Sequence, residues 1–147
     1  MHVNTKASEF IAVLSSIAPA SYLVAGPPAT VWIKADQFHE YLVALGLGAI
    51  TGGGTAKLQQ ANTSGGGGAK DIPGKAASTI AGADANKQLM INLRPEEMDS
   101  DSGFAWFGLV MTITGTSAFV SGSILGINPK LGPANNYNNA AVKEIIY

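Results

Sequence analysis

Hydrolysis by a Ser or Thr nucleophile needs a base within reach, and the chain offers two histidines, His2 and His39. His2 stands near the start and His39 opens a β-prone run. No Gly-x-Ser-x-Gly elbow is present. Ser121-Gly122-Ser123 falls inside a strand pattern, where a glycine permits close packing. Phosphate cradling needs Gly, four residues, then Gly-Lys-Ser/Thr ahead of a helix. Neither Gly68-Ala69-Lys70-Asp71 nor Gly74-Lys75-Ala76 fits. Asp99, Asp101 and Gly103 resemble a fragment of a calcium loop, without its third ligand or its distant bidentate Glu. The cluster from Glu96 to Ser102 reads as a solvated loop. Trp32 and Trp106 could line a sugar cleft, but aromatics at such positions are more often core residues. There is no Cys, hence no disulfide, thiol chemistry or Cys-type zinc site. The expectation is a protein that is not an enzyme, with no cofactor, no metal and no small-molecule substrate.

The composition points to contact rather than chemistry. Only 13% of the 147 residues are charged, about half the usual share, while 46% are hydrophobic and 18 are Gly. So little charge leaves little to hold other surfaces away, so much of the surface is expected to be covered in use. The net charge is −1 and the single arginine is Arg94. No basic stripe is available to nucleic acid. Apolar runs of about ten residues are too short to span a bilayer. Phe10 to Ala20 is a poor match to a signal peptide, with Glu9 at its front and Lys6 the basic residue before it.

The elements divide the chain into three. Residues 1–29 read as an N-terminal arm with a short helix, capped by Ser8 and carrying Phe10, Val13, Leu14 and Ile17 on one face. Pro19 would end it, and Gly26-Pro27-Pro28 is a stiff connector. Residues 30–129 read as the β domain. His39 to Ile50 alternates, with Tyr41, Val43, Leu45 and Leu47 on one face and Leu42, Ala44, Gly46 and Gly48 on the other. Gly52-Gly53-Gly54 reads as a tight reversal before Thr55 to Asn62. Leu89, Ile91 and Leu93 alternate with Gln88, Met90 and Asn92. Phe104 to Thr114 and Ala118 to Ile127 read as two strands joined by a hairpin at Gly115-Thr116-Ser117. Some seven short strands predict an all-β fold: an antiparallel β-sandwich, a small barrel or a jelly-roll-like variant, with an N-terminal arm and an extended C-terminal tail.

Residues 130–147 form that tail, ending in the apolar hook Val142 to Tyr147. Extended ends commonly add to a neighbouring subunit. The expected interface residues are therefore Phe10, Val13, Leu14 and Ile17 in the arm, with Tyr137, Ile145, Ile146 and Tyr147 in the tail.

The run Ala56-Lys57-Leu58-Gln59-Gln60-Ala61-Asn62, the glycines after it, Gly68-Ala69-Lys70-Asp71-Ile72 and Gly74-Lys75-Ala76 resemble a group of small virion proteins of tailed bacteriophages. Tyr41-Leu42-Val43 and Thr112-Ile113-Thr114-Gly115 also fit, so the likeness covers about residues 30–129. Asn62 and the longer glycine run depart from the pattern, and both ends lie outside it. The resemblance implies a structural part of the particle, a capsid decoration (cement) protein in the virion, made in the host cytoplasm. Its partners would be the major capsid protein and copies of itself. It brings no catalytic residues. A head–tail connector or tail protein is the alternative, and a carbohydrate-binding or host-adhesion β-module the second.

Overall fold

A computed structural model describes residues 5–146. One helical turn, α1 (Ala7–Phe10), precedes seven strands: β1 (Ile11–Leu23), β2 (Ile33–Lys34), β3 (Phe38–Ala61), β4 (Lys70–Ala76), β5 (Ile80–Ala81), β6 (Gln88–Leu93) and β7 (Trp106–Pro129). All pairings are antiparallel and belong to one sheet, in the path β1-β7-β3-β4. β2 joins β7, while β5 and β6 join β3. The protein is all-β, as expected.

Two 24-residue strands, β3 and β7, pair along their whole length and form the spine. Tyr41 lies near one end of that ladder, and Phe107 faces Gln60 near the other. Nineteen residues of flat strand would hold them about 60 Å apart. Their rings are instead edge to face with centroids 4.8 Å apart. The open sheet is therefore folded over on itself. Its two halves are the two layers of a sandwich-like core, and one pair of strands runs through both.

The bend is written in parity. Within β3, between the buried end residues Phe38 and Ala61, the alternating buried side chains are Tyr41, Val43, Leu45 and Leu47, then Ala56, Leu58 and Gln60. In β7 they are Phe107, Leu109, Met111 and Ile113, then Ala118, Val120 and Ile124. Odd positions give way to even ones in both strands. A one-residue slip exchanges the faces of a strand, and β3 slips against β7 between Leu47 and Ile50 and between Thr51 and Gly52. Gly52 and Gly115 face each other there, with φ of 137° and 85°. A Cβ on Gly115 would stand 2.6 Å from the Cα of Gly52. Only glycine accepts both that backbone and that approach.

This corrects two readings. Gly52-Gly53-Gly54 does not reverse the chain, and Gly115-Thr116-Ser117 is not a hairpin. The ladder continues through both, from Gly52 against Gly115 to Gly54 against Ile113. Locally, glycines after an alternating run look the same in a turn and in a bend.

The arm reading of residues 1–29 is also corrected. The helix ends at Phe10, and Val13, Leu14 and Ile17 lie in β1, paired to β7 from Ile11 against Ile127 to Leu23 against Ser117. Helical spacing in this short segment was ambiguous. Its β-branched Ile11, Val13 and Ile17 favour a strand, and the open side of β7 supplies its partner. Leu14 falls in a register shift, and Pro19 in another between Ile17 and Ala20. Proline cannot donate to a ladder, and an edge strand tolerates it.

Candidate interaction surface

The residues first considered for chemistry are dispersed or already engaged. His2 lies outside the described residues. His39 is exposed on β3. Ser121 and Ser123 lie on the outer face of β7, beside Gly46 and Ala44. The Asp99 carboxylate takes a 2.6 Å ion pair from Lys70, which also sits over the Phe104 ring. The Asp99 N–H donates to the buried Gln60 Oε1 at 2.8 Å. Among the described residues, no three His, Asp or Glu side chains gather as a metal site. Trp32 and Trp106 are half-buried rather than core residues. The Trp32 ring lies over Gly108 and Gly66. The largest buried aromatics are Tyr41, Phe38 and Phe107.

What stands out is how charge is divided between the two outer faces. One half of the sheet, made by β6, the first part of β3, the second part of β7 and β1, turns its core residues inward. Its outward rows are Asn92, Leu42, Leu125 and Val13, then Met90, Ala44, Ser123 and Ser16. Gln88, Gly46 and Ser121 form the next row, and Phe119 beside Ser21 follows. None of these carries charge. Met90 is 61% and Phe119 43% exposed. The small side chains between them keep the face flat. Phe119 leans on Gly48, where a Cβ would meet its ring carbon at 3.0 Å. Charged groups stand at the two ends: Arg94 with Glu40 at 3.8 Å, and Lys87 with Asp84 at 3.1 Å.

The other half carries a network instead. Lys57 and Gln59 on β3 bond the two oxygens of Asp71 on β4, at 2.9 and 2.7 Å. Lys75 pairs with Glu97 at 2.8 Å, tying β4 to the loop after β6. The Gln59 amide, then the Lys57 ammonium, hold the Asp71 carboxyl below the usual range. Lys75 does the same for Glu97, helped by the Arg94 N–H, and Lys70 for Asp99, helped by Ser102. A shallow depression of about 390 Å³ lies among Gln60, Lys70, Asp71, Glu97 and Asp99. Its charges satisfy one another.

The interface residues expected from sequence separate into groups. Ile17 is 4% exposed and belongs to the chain's own core, so it cannot serve a partner. Leu14 is half-buried against that core. The Val13 edge is taken by the tail: its N–H donates to Asn138 Oδ1 at 2.9 Å, and its carbonyl accepts from the Asn139 N–H. Tyr137 packs edge to face on Phe38 at 5.4 Å and donates to the Leu131 carbonyl at 2.7 Å. It serves its own fold because β1 and the end of β7 leave a ledge there, where Ala134 is fully buried. Phe10, the last residue of α1, is exposed, Ile145 is half-buried and Ile146 is 88% exposed. Tyr147 lies outside the described residues.

The uncharged face was missed as a site, although its signal was present. The alternation at Leu42, Ala44, Gly46 and Gly48 is apolar on the side that should be polar in a strand with one wet face. Compared with known proteins, the chain matches no family model and no curated protein.

Proposed function

We propose that this chain is a structural, non-enzymatic protein of a tailed-phage particle, decorating and cementing the capsid shell. The supporting observation is the uncharged outer face of the β6-β3-β7-β1 half, bounded by self-paired charges. Charge depleted at the centre and kept at the rim is the anatomy of a protein interface. The sequence resemblance over residues 30–129 supplies the particle. The major capsid protein and further copies of this chain are the partners this reading calls for. Self-supported edges and a continuous two-strand spine suit a part that bears load rather than one that opens and closes.

Mixing the purified full chain with assembled shells, and separately with free capsid subunits, tests this by co-sedimentation. Saturable binding to shells and none to free subunits is the expected result. Rings of six or twelve copies would favour the connector reading. A chain that never accompanies particles would refute both.

A further inference from the structure

We propose that the uncharged outer face is covered by the same face of a second copy, packed sheet on sheet about a two-fold axis. This rests on the reading of the chain as a structural module and names the partner of that face.

Three observations point to a second copy. The first is area. Four strands span about 19 Å, and the rows from Phe119 to Ile127, the last of which carries the Glu40–Arg94 rim, span about 26 Å, so the face and its rim together offer a footprint of about 500 Å² per copy. Two such faces bury about 1,000 Å² in total, the lower bound for a specific interface. The second is charge. The charged groups at both ends are neutralised within their own copy, Arg94 by Glu40 and Lys87 by Asp84. An identical face therefore approaches without like-charge repulsion, and no basic or acidic partner is called for. The third is shape. Ala44, Gly46, Ser121 and Ser123 form a low centre that lets another sheet approach to the ordinary spacing of about 10 Å.

The axis follows from the same rows. It runs parallel to the strands, between β3 and β7. It sets Leu42 of one copy on Leu125 of the other, and Ala44 on Ser123. The protruding Met90 on β6 then meets the small Ser16 on β1. The two Phe119 rings, each leaning over its own Gly48, meet near the axis. An isologous pair of this kind closes on itself and does not propagate.

The experiment is sedimentation equilibrium on the full chain from about 1 to 500 µM. Twice the 15.1 kDa mass is expected at the upper end. Ala44→Glu buries a charge from each copy and should weaken the dimer by at least about 100-fold. Thr112→Glu, exposed on the other half of β7, should leave it unchanged. Should Ala44→Glu fail to fold, cross-linking decides. The chain has no Cys, and Met90 and Ser16 of one copy lie three strands apart, beyond disulfide reach. The double variant Met90→Cys/Ser16→Cys should oxidise to a covalent dimer, and neither single variant should. A chain that stays monomeric throughout, or a double variant that does not cross-link, overturns the proposal. Shell binding separates the two readings. A monomer whose shell binding is lost in Ala44→Glu places the capsid protein on this face and overturns only the dimer. A dimer that ignores shells upholds this inference and overturns the proposed function.

Discussion

The two halves of this sheet share the same two strands, yet they present opposite exteriors. Before the bend, β3 shows Leu42, Ala44 and Gly46 to the outside. After it, β3 shows Thr55, Lys57 and Gln59, two of them bonded to Asp71. Both halves bury a similar core of Leu, Val, Ile and aromatic side chains. Stability therefore does not explain the difference. A polar, ion-paired exterior is finished in water, whereas an exterior without charge still has surface to cover. The contrast shows that one fold can keep a wet layer and a docking layer within a single pair of strands.

Removing the bend should disturb the two halves most. Gly115→Ala places a Cβ against the Gly52 backbone at a positive φ. It should cost more than about 4 kcal/mol, from strain together with a clash that backbone cannot relieve. Urea unfolding would measure this. A loss below 1 kcal/mol would show that the glycines do not hold the halves together.

Packing between the layers comes next. Phe107, fully buried against Tyr41, should lose about 3–5 kcal/mol on change to Ala. Its half-buried neighbour Trp106 should lose only about 1–2 kcal/mol. Equal losses would mean that the inner and outer faces have been assigned wrongly at this end of β7.

Tyr41 offers a titration of the same contact. Burial pushes its hydroxyl up to about 12. The folded state therefore keeps its proton where the unfolded chain, near 10, gives it up. Stability is unaffected below about pH 10 and should fall by about 1.4 kcal/mol per pH unit from there to about pH 12. Unfolding followed across that range should show this slope, and Tyr41→Phe should remove it.

The smallest effect belongs to the charged layer. Lys75→Met keeps the mostly covered side-chain stem and breaks only the pair with Glu97, whose carboxylate faces solvent, so it should cost less than about 1 kcal/mol and fade with salt. Lys70 and Lys75 hold Asp99 and Glu97 below the usual range, as Gln59 and then Lys57 hold Asp71. Their small contribution is present above the unfolded carboxylate values and is lost as the pH falls through the lowered folded ones. A loss above 2 kcal/mol in Lys75→Met would make the charged layer a structural clamp.

Much of this was legible in the residues themselves. Alternation at Tyr41, Val43, Leu45 and Leu47, and again at Leu89, Ile91 and Leu93, gave strands and inward faces because side chains in a strand alternate whatever the neighbours are. The low charge announced a surface to be covered, without saying where. The glycines at 52–54 and 115 marked the places where both strands change direction. Whether those glycines turn the chain back or bend it onward depends on what pairs beside them, and that partner lies some sixty residues away. The same holds for residues 11–23: the open edge of β7 made a strand of a segment with mixed periodicity. It also holds for the tail, where the ledge beside Phe38 turned Tyr137 inward. Local chemistry set which residues form strands and which faces are apolar. Only the tertiary fold decided that two strands build both layers, because backbone hydrogen bonds in a sheet are made between segments far apart in the chain.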